Sequence, residues 1–119
     1  MGPLLCIANT TRNTTLAQKA ELANNPLQRL VGLIGKSTLS ADAGLVIMPC
    51  SGIHTIGMRF AIDALYIDYD NRVLRTVSKL APWKVAPVDS RASYIIELAA
   101  GVIEQTGTQI GDKVAVSSM

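Results

Sequence analysis

The chain has 119 residues, of which 49% are apolar and 17% charged, and its formal net charge is +2. This length is typical of one ordinary domain, so the sequence predicts a single globular domain over residues 1–119. The apolar runs are far shorter than the roughly 20 residues of a membrane-spanning helix, which argues against a transmembrane segment. Basic residues are scattered and aromatic residues make up only 4%, so nucleic acid is not an expected partner.

The first predicted element is a strand over "LLCIA", residues 4–8. No basic n-region or long apolar h-region is present, so the sequence as it stands predicts either a cytoplasmic location or a chain stripped of its export signal. Cys6 lies in this strand, and Cys50 is the only other cysteine. Two cysteines without an export signal are usually reduced, and one disulfide is the alternative if the two lie on neighbouring strands.

A short helix is predicted over residues 26–34. Asn25 is a good N-cap, Pro26 suits the first helical position, and Gly35 is a typical C-cap. The apolar residues of the segment recur at helical spacing; they are Leu27, Leu30, Val31 and Ile34. We expect this apolar stripe to pack on a sheet.

Most of the remaining chain is predicted to form strands. Short runs rich in Val, Ile, Thr and Tyr are bounded by Gly, Pro, Asn or Asp; they are "LVIMP", "IDALYIDY", "RVLRTVSKL", "ASYIIEL" and "KVAVSS". Asp70 and Asn71 predict a hairpin turn, and a helical turn is expected near residues 101–106, closed by Gly107. Six or more short strands favour a mainly β fold, a small β-barrel or sandwich.

The segment "PCSGIHTIGM", residues 49–58, holds the most suggestive group of side chains. Cys50, His54 and Met58 follow one another at intervals of four, and His54 is the only histidine. On a straight strand, Cys50 and His54 would lie about 13 Å apart, too far for one metal ion to bind both. A shared site would need a bulge or a turn at Gly52. Three packed side chains are therefore the favoured interpretation, and no metal or other cofactor is predicted.

A thiol- or carboxylate-based hydrolase is the enzymatic alternative. His54 would lower the pKa of Cys50, or of Cys6 on a neighbouring strand, and act as its base. Asp63, Asp89 or Glu97 would orient the histidine. Asp63 stands in the apolar run "FAIDALYI", where a carboxylate is costly unless an arginine or backbone amides pair with it. Structural pairing of Asp63 is therefore favoured over catalysis.

The long loop "LAPWKVAPVDSRAS", residues 80–93, carries the only tryptophan, Trp83. Functional residues favour loops on rigid sheets, and tryptophan is enriched at interfaces. We predict a ligand or partner surface that comprises Trp83, His54 and Arg59. The alternative is that Trp83 closes one end of the barrel.

The order of motifs resembles that of one uncharacterised family. A helix ending in "LVGLIGK" is followed by "GLVIMP", by "HTIGMRFAIDALYID" with its "DNRVL" hairpin, by "YIIELAAG" and by "IGDKV". From Leu5 to Val116 this order is similar to the bacterial and archaeal domain of unknown function 192, or uncharacterised protein family 0127. The resemblance implies a small, mainly β domain without an established biochemical function. Many members begin with export or lipoprotein signals, which keeps the cell envelope open as the compartment.

The resemblance also bears on the candidate residues. Many relatives have a "WMKN"-like stretch where this chain reads "HTIG", which implies that a catalytic His54 would belong to one branch at most. Ile62 and Asp63 match the general family pattern. We therefore predict a non-enzymatic binding or accessory module that acts on a partner protein or small ligand at one open end, as a monomer or weak homo-oligomer. The hydrolase is the first alternative, and metal carriage by Cys50, His54 and Met58 is the second.

Overall fold

The computed structural model describes residues 4–118, and strands dominate it. The strands are β1 (Leu5–Asn9), β2 (Thr14–Ala23), β3 (Ala43–Ile47), β4 (Ile62–Ile67), β5 (Val73–Leu80), β6 (Tyr94–Ala99) and β7 (Val114–Ser118). The helices are α1 (Pro26–Val31) and α2 (Val102–Thr106). The predicted mainly β fold is confirmed, as is the helical turn that Gly107 closes. Neither helix is long and apolar enough to cross a membrane.

All seven strands belong to one curled sheet in the order β5-β4-β6-β3-β2-β1-β7. β2 and β3 are parallel, whereas the other neighbours are antiparallel, and the predicted hairpin joins β4 to β5. The start of β7 reaches this hairpin, because Arg72 and Lys113 form an antiparallel bridge. The Val114 amide also donates to the Asn71 carbonyl at 2.9 Å. The sheet therefore forms a half-barrel.

The half-barrel has an apolar core on each face, because side chains alternate along a strand. The concave face packs against α2, with Leu65, Ile67, Ile96 and Leu98 among its buried residues. The convex face lies beneath the loops that follow β3 and β5, and it buries Ile62, Ala64, Tyr66 and Ile95. A strand that is buried on both faces has a continuous apolar run in its sequence. For this reason β4 and β6 could be predicted from the sequence.

The helix α1 is shorter and more exposed than predicted. Asn25 caps it as expected, since its Oδ1 accepts from the Gln28 amide at 2.8 Å, but the helix ends at Val31 with Gly32 as its C-cap. None of its residues is buried, and Leu27 is 69% exposed. The prediction that the apolar stripe packs on the sheet is therefore wrong. The chain turns at Gly32, whose φ is 51°, and the buried residue of this segment is Leu33, after the helix.

Candidate functional site

Two loops on the convex face carry most of the candidate residues. Residues 49–58 and 83–93 run antiparallel, and His54 and Val85 form a bridge between them. Gly52 permits this close approach, because a Cβ at this position would lie 2.9 Å from a side-chain carbon of the opposite loop. The two loops thus form one packed unit above the sheet.

The loop from Cys50 to Met58 turns back on itself instead of forming a straight strand. The Met58 amide donates to the Thr55 carbonyl at 3.0 Å, and Gly57 adopts a φ of 85° in this turn. As a result, Cys50, His54 and Met58 line one cavity of ≈ 60 Å³. The separation expected along a straight strand does not apply, and the three side chains border the same space.

Glu97 completes the wall of this cavity and is the least satisfied polar residue in it. It lies on β6 between Leu45 of β3 and Ala64 of β4 and is only 2% exposed. Its Oε1 atom is buried without a hydrogen-bond partner. Burial raises the pKa of Glu97 from 4.5 to about 7. We call this space the Glu97 cavity. Its wall comprises residues 29–34, Ile47, Cys50, Gly52, Ile53, His54, Met58 and Glu97.

Arg29 and His54 are the basic residues of the wall, and both have other hydrogen-bond partners. The Arg29 guanidinium donates to the Asn24 carbonyl at 3.3 Å. His54 Nδ1 accepts from the Ile56 amide at 3.2 Å, so the neutral ring carries its proton on Nε2. The ion pairs found within residues 4–118 do not include Glu97.

The Cys50 thiol lacks the features of an activated nucleophile. Its Sγ donates to the Gly52 carbonyl at 3.1 Å, and burial is the main cause that raises its pKa. The hydrogen bond to Gly52 lowers this pKa, the Glu97 carboxylate raises it further, and Arg29 lowers it. A thiol with a raised pKa supplies little thiolate at neutral pH. Both cysteines are free, and Cys6 lies away from the cavity on β1.

We therefore expect slow alkylation of Cys50. In a Cys6→Ser variant, iodoacetamide should modify Cys50 at least about tenfold more slowly in the folded protein than in urea, because burial protects it. Intact mass against time measures the rate, and a Cys50→Ser variant that retains Cys6 is the matched control. A folded-state rate equal to or above the unfolded rate would instead indicate an activated thiol.

Asp63 lies on the opposite face of the sheet from the Glu97 cavity. Its Oδ1 accepts from the Lys79 amide at 2.8 Å, and its Oδ2 accepts from the amides of Gly101 and Ile103 at 3.1 and 2.8 Å. Backbone amides, not an arginine, therefore satisfy this buried carboxylate. Asp63 ties the end of β5 to the start of α2 and cannot orient His54 from the concave face.

Asp89, another residue considered as a partner for His54, forms a fixed ion pair. Arg91 Nε and Nη2 donate to its two carboxylate oxygens at 3.0 and 2.7 Å. These bonds lower the pKa of Asp89 to about 2. Of the three carboxylates considered, only Glu97 shares the cavity with Cys50 and His54.

Trp83 lies on the surface and does not close an end of the half-barrel. It is 68% exposed, and its neighbours in the two loops, Ile56, Val85 and Val88, are also exposed. We call these four residues the Trp83 strip. His54 adjoins both features, since it lines the Glu97 cavity and also the shallow depression beside Ile56 and Val88. Arg59 is exposed in the same loop.

The backbone at Trp83 is held in a strained conformation. Its φ is 64°, a region that bulky residues rarely adopt. Thr55 fixes it, because its carbonyl accepts from the Trp83 amide at 2.9 Å and its Oγ1 accepts from the Lys84 amide at 2.9 Å. Thr55 Oγ1 also donates to the Ala81 carbonyl at 2.6 Å. Strain of this kind is often found at functional sites.

This strain gives a test at Trp83. The free energy of unfolding of a Trp83→Gly variant should be about 1 kcal/mol higher than that of Trp83→Ala. The glycine variant is the more stable of the two because glycine adopts a positive φ without steric cost. Urea denaturation of the two variants measures the difference, and the pair controls for loss of the indole. Equal stabilities would show that the backbone at this position is relaxed.

A second apolar cleft opens at the end of the half-barrel away from α2. Its volume is ≈ 580 Å³, and its apolar walls include Leu5, Leu22, Met48, Tyr94 and Val116. None of the predicted contact residues lines it. No pattern in the sequence indicates this cleft, because it forms where strand ends distant in the chain meet.

The described part of the chain contains no metal-binding cluster. Between residues 4 and 118, no three His, Cys, Asp or Glu side chains lie close enough to hold one ion. The wall of the Glu97 cavity includes two sulfur-containing side chains, Cys50 and Met58, beside His54.

Comparison with known proteins gives a consistent result over most of the chain. The family model described as "Uncharacterized ACR", domain of unknown function 192, matches residues 7–116. A UPF0127 protein of Pyrococcus horikoshii is 29% identical over 111 residues, which cover 91% of this chain and 96% of the relative. A second UPF0127 protein, from Pyrococcus furiosus, is 24% identical over 116 residues, covering 93% and 97%.

Two crystal structures share the fold. A protein of unknown function from Novosphingobium aromaticivorans has a TM-score of 0.81 and 19% identity, with 94% of this chain and 83% of that chain covered. A protein from Sinorhizobium meliloti, described as a proposed transcription regulator, has a TM-score of 0.79 and 23% identity, covering 96% and 92%. At these identities the likeness concerns the fold alone.

Proposed function

Because the chain belongs to the domain of unknown function 192 family, as its motif order predicted, and that family is described as uncharacterised, we propose a function from geometry. We propose that the protein is a non-enzymatic binding module that takes the polar head of a small ligand into the Glu97 cavity. The Trp83 strip, His54 and Arg59 form the proposed contact surface for the rest of the ligand.

The buried Oε1 atom of Glu97 is the observation that carries this proposal. Within residues 4–118, Thr14 Oγ1 and Arg75 Nε are also buried without a partner. For a buried acceptor such as Glu97 Oε1, the lack of a partner costs about 1–3 kcal/mol. This one faces a cavity rather than packed side chains. A ligand that brings a hydrogen-bond donor to Oε1 would remove this cost.

The surroundings of the cavity support binding over catalysis. The Cys50 thiol has a raised pKa, and Asp63 and Asp89 are held by other partners. Next to the cavity, the exposed Trp83 strip offers apolar surface to the body of a ligand. His54 stands between the two and would contact both parts of the ligand.

A titration with small probes tests the proposal. The probes are n-butylammonium, butyramide and butyrate, which share a four-carbon body and differ in the head group. We expect at least one of them to shift the backbone amide signals of Gly52 and Ile53 saturably in ¹H–¹⁵N NMR spectra. Amides of the second apolar cleft, such as those of Leu22 and Val116, are the internal control. Saturation at that cleft alone, or at neither place, would contradict the proposal.

The hydrolase remains a second candidate because Cys50, His54 and Glu97 line one cavity. In this interpretation Glu97, not Asp63, would be the carboxylate beside the histidine. The alkylation experiment separates the two candidates, since a hydrolytic thiol has to react rapidly in the folded protein.

A further inference from the structure

The charges around the Glu97 cavity indicate which head group it would bind. α1 contributes Arg29, and the loop after β3 contributes Cys50 and His54. The strands on either side of β6 place only apolar residues opposite Glu97, namely Leu45 and Ala64. No ion pair found within residues 4–118 includes Glu97, and the Arg29 guanidinium of the same wall donates to the Asn24 carbonyl instead.

We propose that the Glu97 cavity binds a primary alkylammonium group, which pairs with the Glu97 carboxylate; this inference rests on the proposed function. An ammonium group has three donors and a positive charge, so it satisfies Oε1 and neutralises the carboxylate. A carboxylate ligand would meet a like charge in a low-dielectric space, which is strongly unfavourable. A neutral amide satisfies Oε1 but leaves the charge unpaired.

Binding of the cation should release a proton near neutral pH. Burial raises the pKa of Glu97 to about 7, so part of the protein carries a protonated carboxyl at pH 7. Pairing with an ammonium favours the ionised form, and the Glu97 proton leaves to solvent while the ammonium keeps its own three protons. Alkylammonium affinity should therefore increase as the pH rises through 7.

The size of the cavity restricts the head group further. A space of ≈ 60 Å³ admits an ammonium group with its first carbon atoms, whereas a trimethylated ammonium is much wider and has no donor for Oε1. The structure therefore favours primary amines over quaternary ones. n-Butyltrimethylammonium is the matched probe that keeps the charge and the alkyl body.

The test compares probe affinities at two pH values. At pH 8, n-butylammonium should bind at least about tenfold more tightly than butyramide, butyrate or n-butyltrimethylammonium, as measured by the amide shifts of Gly52 and Ile53. Its affinity should fall about tenfold between pH 8 and pH 6, because a carboxyl of pKa about 7 is mostly ionised at the first and mostly protonated at the second.

Two variants identify the titrating group. Glu97→Gln keeps the shape of the side chain, and it should abolish both the preference for the cation and its pH dependence. Glu104→Gln should keep both, because Glu104 is an exposed carboxylate on α2 and lies outside the wall of the Glu97 cavity. The NMR spectrum of each variant also reports whether it is folded. Retention of the pH dependence in Glu97→Gln would overturn the assignment.

The outcomes separate the inference from the proposed function. Tightest binding of butyrate, or equal binding of all probes at the cavity, would overturn the ammonium assignment and leave the binding site intact. Absence of any saturable shift at the cavity would overturn both. A comparison of n-butylammonium with Nα-acetyl-lysine N-methylamide then tells whether the ammonium comes from a free amine or from a lysine side chain; tighter binding of either supports the assignment.

Discussion

Replacing Asp63 by asparagine is expected to lower the free energy of unfolding by about 3 kcal/mol. The buried carboxylate accepts three backbone amides, from Lys79, Gly101 and Ile103. In Asp63→Asn, the side-chain NH₂ group has to face at least one of these donors, which leaves a buried N–H unpaired. Urea denaturation at pH 7 measures the loss.

Asp70→Asn is the matched control for this variant. Asp70 lies exposed in the β4–β5 turn, so the same chemical change should alter the free energy of unfolding by less than about 0.5 kcal/mol. If Asp63→Asn changed the free energy of unfolding as little as Asp70→Asn, the carboxylate charge would not be needed to hold α2 and the end of β5.

Glu97 is expected to make the protein less stable as the pH rises. Its pKa is about 7 in the folded protein and has its ordinary value of 4.5 after unfolding. Between these values the folded state binds more protons, so the free energy of unfolding decreases with rising pH. Below about pH 4.5 the titration of Glu97 does not change the free energy of unfolding. Above pH 7 it lowers that free energy by about 3 kcal/mol.

A Glu97→Gln variant should lose this pH dependence, because glutamine does not titrate. Urea denaturation of both proteins from pH 5 to pH 8 measures the two slopes. The control is Glu104→Gln, since the Glu104 side chain is 79% exposed on α2 and its neutralisation should leave the slope nearly unchanged. Parallel curves for Glu97→Gln and the unmodified protein would show that Glu97 is ionised at a normal pKa.

The central strands were predictable from the sequence, whereas β2 was not among the predicted elements. The buried residues of β2 are Leu16, Ala17, Ala20 and Ala23, a spacing that is typical of a helix. The cause is an irregularity in the strand: the amides of Gln18 and Lys19 both donate to the Asp42 carbonyl, and the register with β1 shifts nearby. Such a bulge breaks the alternation that identifies a strand.

The members of the candidate site were visible in the sequence, but their arrangement was not. Asp63 and Glu97 are both single carboxylates in apolar runs, and periodicity alone treats them alike. Their environments differ because Glu97 pairs in register with Ala64, the residue after Asp63, so the two carboxylates point to opposite faces. This register depends on contacts between distant parts of the chain. The turn at Gly57, which brings Met58 back to Cys50, depends on such contacts as well.

The two outer strands of the half-barrel limit how copies of this protein can associate. Unpaired strand edges promote the joining of sheets, and charges and irregular backbone on such edges oppose it. β5 carries Arg75 and Lys79, and the φ of Lys79 is 52°, which interrupts a straight edge. The start of β7 is covered by the β4–β5 hairpin. Continuous sheets across molecules are therefore disfavoured, and any self-association would have to use side-chain surfaces such as the Trp83 strip, in competition with the proposed ligand.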